Sequence, residues 1–502
     1  MMWRMPFAPV YPTAEIRTLE ATAQAAMPQP SLMERAGRAA AEHARRIIGE
    51  RGRSVLIVAG PGNNGGDAFE AAVHLKNWFY RVEATFTGDP DRLPADAARA
   101  YEKWKQAGGA ALASFPVDSA ARRYDLIVDG LFGIGLARPL EGAYAECIER
   151  INRSDVPVLA LDIPSGINAD TGAVMGVAVR AAHTITFLAL KPGLLTLDGP
   201  DHCGALSMDP IGVQAEALQP PRGRLLSADI LAQTLSPRPR NFHKGHAGNV
   251  AVLGGAPGMV GAALLAGRAA LKCGAGRVYL GLLDEQAPRV DVLQPELMVR
   301  RASDLPLDDC VIAAGPGMGQ SAAAKALLER ALDAPAAAVL DADALNLVAA
   351  HAELAAALRD RKQAVLLTPH PAEAARLLGV QTGEVQADRI AAARAMAERY
   401  RALVALKGNG TVVATPRGDW WINPTGHPGM ASAGMGDALT GLVGSFLAQG
   451  AQPTLALLAG VWLHGAAADS VADAQGGPLG TSASDVIEHA RQLLNRAPTR
   501  VR

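Results

Sequence analysis

Gly434-Met-Gly-Asp437 runs straight into the apolar stretch Ala438–Ala448. Glycines at a helix start aim several backbone N–H groups at one point. That point stabilises a phosphoryl group as charge spreads over its oxygens. Asp437 sits where it can accept a proton from a hydroxyl attacking that phosphorus. Taken alone, the four residues also suit a plain glycine-rich turn capped by Asp. Five further features precede them in order: Asn241-Phe-His-Lys-Gly245 with Gly248, Gly254-Gly-Ala-Pro-Gly258 with Gly261-Ala262, Ala314-Gly-Pro-Gly-Met-Gly319, Thr368-Pro-His-Pro-Ala-Glu373 and Lys407-Gly-Asn-Gly-Thr411. His370 and His243 by themselves read equally well as structural. No GxxxxGK[ST] occurs, which argues against a P-loop nucleotidase.

A second cluster lies in the first half. Gly60-Pro-Gly-Asn-Asn-Gly-Gly-Asp67 follows an apolar run and precedes a helical pattern, an arrangement that presents N–H groups to a phosphate. Gly60, Gly62 and Gly65 satisfy GxGxxG, but the acid that should end the second strand is absent, since Glu83 lies inside Arg81–Phe86. A purely structural tight turn stays open. Asp129-Gly-Leu-Phe-Gly-Ile-Gly135 and Asp162-Ile-Pro-Ser-Gly166 end two more apolar runs. Ligands of open α/β sheets bind beyond the carboxyl ends of the strands, so Asn64, Asp129, Asp162 and Ser165 are expected at one crevice. Oxygen donors of this kind suit a weakly held hard cation, and a carboxylate beside a substrate suits proton transfer. A helix N-cap is the ordinary role for any one of these aspartates.

The elements that must position these residues are two series of short apolar runs alternating with Ala-rich helical patterns. The first comprises 54–60, 81–86, 125–132, 156–163 and 183–190; the second comprises 249–255, 277–282, 310–315, 337–343, 364–370 and 403–408. Unbroken Val/Leu/Ile runs are what parallel strands covered on both faces require, so each series predicts an α/β sandwich. The proline-rich stretches Gln219-Pro-Pro-Arg-Gly223 and Ser236-Pro-Arg-Pro239 divide them. This places one domain at 1–220 and a second at 221–502, with a short helix near 225–235. A length of 502 residues agrees with more than one core.

No charged residue lies between Asp437 and Asp469, a run long enough to span a bilayer, but Gly450-Ala-Gln-Pro453 interrupts it. Two buried core helices are the expectation, with no membrane partner. A net charge of −1 offers no field for nucleic acid. The four cysteines (Cys147, Cys203, Cys273, Cys310) lack CxxC spacing, and the N-terminus lacks the apolar core of a signal peptide. Free buried thiols and a cytoplasmic location are therefore expected.

GPGNNGGD, DGLFGIGL and DIPSG, in this order and spacing, resemble the NAD(P)H-hydrate epimerase family over roughly residues 10–215. The resemblance implies a Rossmann-like three-layer sandwich that interconverts the R and S hydrates (NADHX and NADPHX) at C6 of the nicotinamide ring and binds potassium. It implies dinucleotide contacts from Asn63, Asn64, Gly65, Gly66 and Asp67, and from Gly133, Ile134, Gly135, Leu136, Ala137, Arg138 and Pro139. Asn64, Asp129 and Ser165 would place the cation, and Asp162 would lie near the reacting carbon. Ala68 departs from the glycine usual there.

The second set resembles the NAD(P)H-hydrate dehydratase branch of the ribokinase-like superfamily over roughly residues 225–495. That branch is an α/β/α sandwich that phosphorylates the C6 hydroxyl with ADP or ATP and then eliminates phosphate. Ala262, Gly317, His370 and Asp437 would contact the hydrate. Lys407, Gly408, Asn409, Gly410, Thr411 and Gly436 would contact ADP, with magnesium bridging the phosphates. His427 stands where Asn is usual, and Ala372 where Gly is usual. A homo-oligomer is expected. Two alternatives stay open: a small-molecule kinase of the same fold, which leaves the first domain unexplained, and a non-catalytic nucleotide sensor, which leaves Asp162 and Asp437 unexplained.

Overall fold

The computed structural model describes residues 7–49, 52–112, 114–116, 123–235 and 237–496. Ser236 of the second proline-rich stretch lies outside them. The chain forms two compact units, Pro9–Gly223 and the residues from Arg224 onward, the latter joined by Phe7 and Ala8. The Ala8 carbonyl accepts the Leu225 N–H at 2.8 Å, and Phe7 packs against the second unit's core.

The first unit is built on a seven-stranded sheet. Its order is Ala111–Leu112, Arg81–Phe86, Ser54–Ala59, Leu126–Gly130, Val158–Leu161, His183–Phe187, Ala205–Asp209, with every neighbouring pair parallel. Alternate residues of the fully buried central strand face opposite layers. Val55, Ile57 and Ala59 join the core under helices Thr13–Ala26, Leu32–Ile48, Asn63–Asn77 and Ala95–Gln106. Leu56 and Val58 join the core under helix Ala143–Arg153. The chain runs outward from Ser54–Ala59 on one side and returns on the other, so the order reverses between that strand and Leu126–Gly130. That reversal opens a crevice at the strands' carboxyl ends.

In the second unit the order is Met298–Arg301, Arg277–Leu282, Asn249–Gly254, Val311–Ala314, Ala338–Leu340, Val365–Leu367, Leu403–Leu406, Thr411–Ala414, Trp420–Asn423. Here the reversal falls between Asn249–Gly254 and Val311–Ala314. The strands are parallel through Leu403–Leu406 and antiparallel across the last two pairs. This corrects the expectation of parallel strands alone. The two added strands are four residues each, and tight turns such as Arg417-Gly418, with Gly418 at φ 89°, let them follow without a crossover helix. The run expected at 337–343 is likewise shorter. Its strand ends at Leu340, and Asp343 already lies in helix Ala342–Ala350.

The uncharged run folds as two helices, Met435–Ala448 and Pro453–Gln475. The second is long and apolar enough to cross a bilayer, but two-thirds of that window (67%) is buried against Val339, Leu366, Ala405 and Val413 and the neighbouring helices. All four cysteines are free and buried. Burial pushes the Cys147 and Cys203 thiols up to about 12, which leaves them unreactive.

Candidate active sites

In the first unit Asn63 opens the helix directly, and Gly62 stands at its N-cap with no side chain bonded to the first turn. The helix start is pressed against two strand ends. The Gly60 N–H donates to the Gly130 carbonyl at 3.1 Å. A Cβ on Gly60 would strike the Leu131 carbonyl, and one on Gly65 would strike the Gly60 carbonyl. Around Gly62 and Gly135 no atom would meet an added Cβ, so both loops keep open room for a ligand. Ala68, the departure from glycine, points away from that room. It is fully buried, and its methyl fills the space that a Cβ on Gly130 would take.

Asn64 is buried, yet among the described residues neither its Oδ1 nor its Nδ2 has a hydrogen-bond partner. Orphaned amide atoms of this kind call for a bound group. Asn64 lies against Gly133, whose added Cβ would sit 3.4 Å from the Asn64 Cβ. Asp129 is fully buried and accepts from Ser165 Oγ at 2.6 Å, Ser165 N at 2.9 Å and Leu131 N at 3.2 Å. Burial raises its carboxyl to about 6, against the lowering effect of these hydrogen bonds. Ser165 Oγ in turn accepts the Phe132 N–H at 2.8 Å. Among the described residues Asp129 has no cationic partner, so a buried carboxylate, a hydroxyl and an orphaned amide oxygen form an all-oxygen donor set that fits a cation such as potassium.

Asp162 does not bond to that set. It takes a left-handed φ of 64° and turns toward the neighbouring strand end. There its Oδ1 accepts from the Lys191 ammonium, from Thr186 Oγ1 at 3.3 Å and from Phe187 N at 3.3 Å. Desolvation, then Asp162 and Glu20, push the Asp67 carboxyl well above its ordinary range. Desolvation followed by Asp162 also raises Glu20 on the first helix. Asp67 and Asp162 are thus electrostatic neighbours. Lys191 was missed in the sequence because a lone lysine in Leu190-Lys-Pro192 belongs to no chemical pattern; only the fold sets it beside Asp162. Glu83, the failed ribose acid, is tied to Arg123 and to the Tyr124 hydroxyl at 2.7 Å. On the second loop, Gly135, Ala137, Arg138 and Pro139 form an exposed rim, while Leu136 is buried and Ile134 packs on the core.

In the second unit the two loops at the reversal point are joined by backbone. Gly255 N donates to Pro316 O at 3.0 Å, and Ala256 N donates to Gly317 O at 2.7 Å. Gly317 has φ 56°, and a Cβ there would meet Met259 and sit 3.1 Å from the Ala262 methyl, so Ala262 and Gly317 form one wall. Gly319 N donates to Asp343 at 2.8 Å.

The GxGD residues form the first turn of their helix behind Gly434, at φ 89°, rather than a turn ahead of it. Gly436 covers an ion pair: Lys407 donates to the fully buried Asp341 at 2.7 Å, with Glu373 at 4.0 Å, and Thr440 Oγ1 donates to Asp341 at 3.1 Å. A Cβ on Gly436 would lie 3.0 Å from Asp341 Oδ2 and 3.2 Å from Lys407 Nζ. Desolvation, then the charge of Asp341, lift Asp437 to about 6. Burial and a like charge thus favour the protonated form, against the lowering effect of Lys407. His370 is less available than expected. Its Nδ1 accepts from Ala372 N at 3.1 Å, and its Nε2 lies 3.2 Å from Glu373, so the ring face is what it offers a ligand. Ala372 occupies an ordinary helical position that needs no glycine.

In the nucleotide-type loop Gly408 and Gly410 take φ 140° and 64°. Beneath them the buried Arg389 holds the Leu406 and Lys407 carbonyls at 3.2 Å. Asn409 is exposed, and Thr411 Oγ1 donates to Gly408 O at 3.1 Å. His427 replaces the usual Asn without loss of the cap. Its Nδ1 accepts the Gly429 N–H at 2.9 Å, and Nε2 reaches the Ala468 carbonyl at 2.8 Å. Asp341, Asp343 and Glu373 were legible only as strand-end acids. Asp341-Ala-Asp343 directly after an apolar run was the available signal.

Comparison with known proteins covers both units. Residues 250–491 match the family described as NAD(P)H-hydrate dehydratase, and residues 29–193 match that described as YjeF-related protein N-terminus. A Coxiella burnetii protein named bifunctional NAD(P)H-hydrate repair enzyme Nnr is 38% identical over 495 residues, 97% of this chain and 99% of its own. The Escherichia coli K12 protein of the same name is 38% identical over 470 residues, 92% of this chain and 89% of its own. The solved ADP/ATP-dependent NAD(P)H-hydrate dehydratase from Bacillus subtilis, co-crystallized with ATP and Mg2+, is 33% identical, covering 55% of this chain and 98% of that one with a TM-score of 0.47.

Proposed function

The chain belongs to the bifunctional NAD(P)H-hydrate repair enzymes, and on that premise we propose how its two units divide the work. The first unit epimerises the R and S hydrates at C6. The second dehydrates the S hydrate at the expense of ADP.

At C6 the hydrate carries a hydroxyl next to the ring nitrogen. Epimerisation follows if the C6–O bond opens with the N1 lone pair behind it and water re-adds on the opposite face. One proton is given to the departing oxygen and one is taken from the incoming oxygen. Asp67, pushed toward its protonated form, suits the donor, and Asp162 suits the acceptor. Asn63–Asp67 and Gly133–Pro139 would hold the dinucleotide. Asn64, Asp129 and Ser165 would hold potassium, which supplies a fixed positive charge beside the buried Asp129 carboxylate.

In the second unit Asp437 accepts the C6 hydroxyl proton as that oxygen attacks the terminal phosphorus of ADP, and AMP leaves. The C6–O bond then breaks, phosphate departs, and loss of a C5 proton restores the dihydronicotinamide. Ala262, Gly317 and the His370 ring face would place the hydrate. Gly408–Thr411 and Gly436 would place the nucleotide. The Lys407 charge is engaged by Asp341, so its part is to hold the floor of the site rather than to grip a phosphate. Among the described residues no three His, Cys, Asp or Glu are arranged around a metal; magnesium would be held chiefly by the nucleotide's own phosphates.

Asp437 carries the reading. It is a carboxylate in an uncapped first turn, lifted to about 6, which is the proton affinity a base working near neutrality needs. The test is recovery of NADH absorbance from purified S hydrate and from the R/S mixture, with ADP or ATP. Full recovery from the mixture supports both activities. Recovery of the S share alone removes the epimerase, and no recovery with either nucleotide removes the dehydratase.

A further inference from the structure

Lys191 has no assigned role, yet it is one of the most deeply buried charged groups in the chain, with 1% of its side chain exposed. Its backbone is fixed because the preceding residue, Leu190, accepts the Tyr11 N–H at 2.9 Å and Pro192–Leu194 forms a single 3-10 turn after it. An ammonium has three protons to donate. Lys191 finds three acceptors: Asp162 Oδ1, Thr186 Oγ1 at 2.8 Å and the Phe187 carbonyl at 2.7 Å. No proton is left over for a substrate. The bonds to Asp162 are also one-sided. Lys191, Thr186 and Phe187 all bind Oδ1, and among the described residues none of the hydrogen bonds reaches Oδ2. Asp162 meanwhile holds a φ of 64°, a strained backbone state that persists only where surrounding bonds over-determine it.

We propose that Lys191 is the positioning residue of the first unit's site: it clamps Oδ1 of Asp162 and so presents Oδ2, a single oriented oxygen, to the incoming oxygen that gives up its proton at C6. Lys191 touches no reacting atom and acts only through Asp162. The inference rests on the reading that Asp162 takes the proton. It also accounts for the division of labour among nearby acids. The single ammonium is committed to Asp162, while Asp67 and Glu20 share only its longer-range field and are both raised.

The test uses the full chain, with R hydrate as substrate and ADP present, while turnover of purified S hydrate by the second unit serves as the internal control. K191M should lower kcat for epimerisation by about 10²-fold, the scale on which misplacing a group by an ångström acts, with KM near the parent value. K191R, which keeps the charge, should recover part of the loss. T186V, which removes one anchor and leaves the charges alone, should give a smaller loss of the same kind, and it keeps the idea testable if K191M fails to fold. The decisive comparison is D162N against D162N/K191M. If Lys191 works through Asp162, the double variant is no slower than D162N alone. A further loss in the double variant, or a rise in KM without a fall in kcat, would mean that Lys191 meets the substrate itself and overturns the proposal. If D162N is inactive while K191M keeps parental kcat and KM, only the Lys191 inference fails. An active D162N would remove the Asp162 reading and this inference with it.

Discussion

At the scale of single residues each unit holds a carboxylate that burial raises, Asp67 in the first and Asp437 in the second. Asp437 must be ionised to take a proton, so dehydration should fall as pH drops through about 6, the value to which its surroundings lift it. Asp437→Asn should lower turnover by about 10²–10⁴-fold, equal to roughly 3–5.5 kcal/mol of barrier, with ADP affinity little changed in a titration. The same group costs stability. Its folded value lies above the unfolded 3.8, so the penalty on the ionised form is complete above pH 6 and vanishes below pH 4. Asp437→Asn should therefore raise the second unit's stability at pH 8, by at most about 3 kcal/mol, and not at pH 4. Denaturant melts at both pH values check the sign, and an equal gain at pH 4 would point to a cause other than ionisation. His427 gives a milder case. Asn there keeps the bond to Gly429 and loses the one to Ala468, so His427→Asn should cost about 1 kcal/mol and His427→Ala about 2 kcal/mol, both read from thermal melts.

At the scale of elements, the glycines that looked like ligand-binding signatures do two different things. Gly65 is glycine because helix and loop touch: a Cβ there collides with the Gly60 carbonyl. Gly65→Ala should destabilise the first unit by more than about 2 kcal/mol through overpacking, and epimerisation would be lost along with the fold. Gly317 combines a left-handed φ with a crowded neighbour in Ala262. Gly317→Ala should mainly move the wall that faces the hydrate, so KM for the S hydrate should rise while the ADP titration stays near parental. A reversed pattern would place Gly317 on the nucleotide side. The Gly408–Thr411 loop had a readable sequence but an unreadable context, because its antiparallel hairpin is made of strands too short to announce themselves, and the Arg389 beneath it comes from the start of a separate helix, Arg389–Tyr400.

At the scale of the whole molecule, each unit has its own series of parallel strands and its own cores, which is the condition for independent folding. We expect a fragment ending at Gly223 to epimerise and a fragment starting at Arg224 to dehydrate only the S hydrate. The second fragment lacks Ala8, whose carbonyl accepts the Leu225 N–H, so it should melt lower than the same unit in the full chain. Restoring residues 1–8 as an N-terminal extension, through a flexible linker, should recover part of the difference. Failure of both fragments to fold would count against independent units.

The sequence alone determined the α/β class, the two-part division and the motif positions, because apolar runs, proline-rich breaks and glycine spacing are local quantities that burial and backbone sterics impose directly. It also carried Asp129 and Ser165, which the fold joins at 2.6 Å, since both stand at strand ends whose register the parallel sheet fixes. What only the tertiary structure decided is which charges face one another. Lys191 beside Asp162, Asp341 beneath Gly436 and Asp67 within reach of Asp162 are meetings of residues far apart in sequence. The raised proton affinities of Asp67 and Asp437 follow from desolvation and Coulomb fields that exist only after the sheets have closed. A spacing rule sees a glycine loop and a carboxylate; the buried partner that orients the carboxylate, or lifts its proton affinity toward neutrality, arrives from another strand.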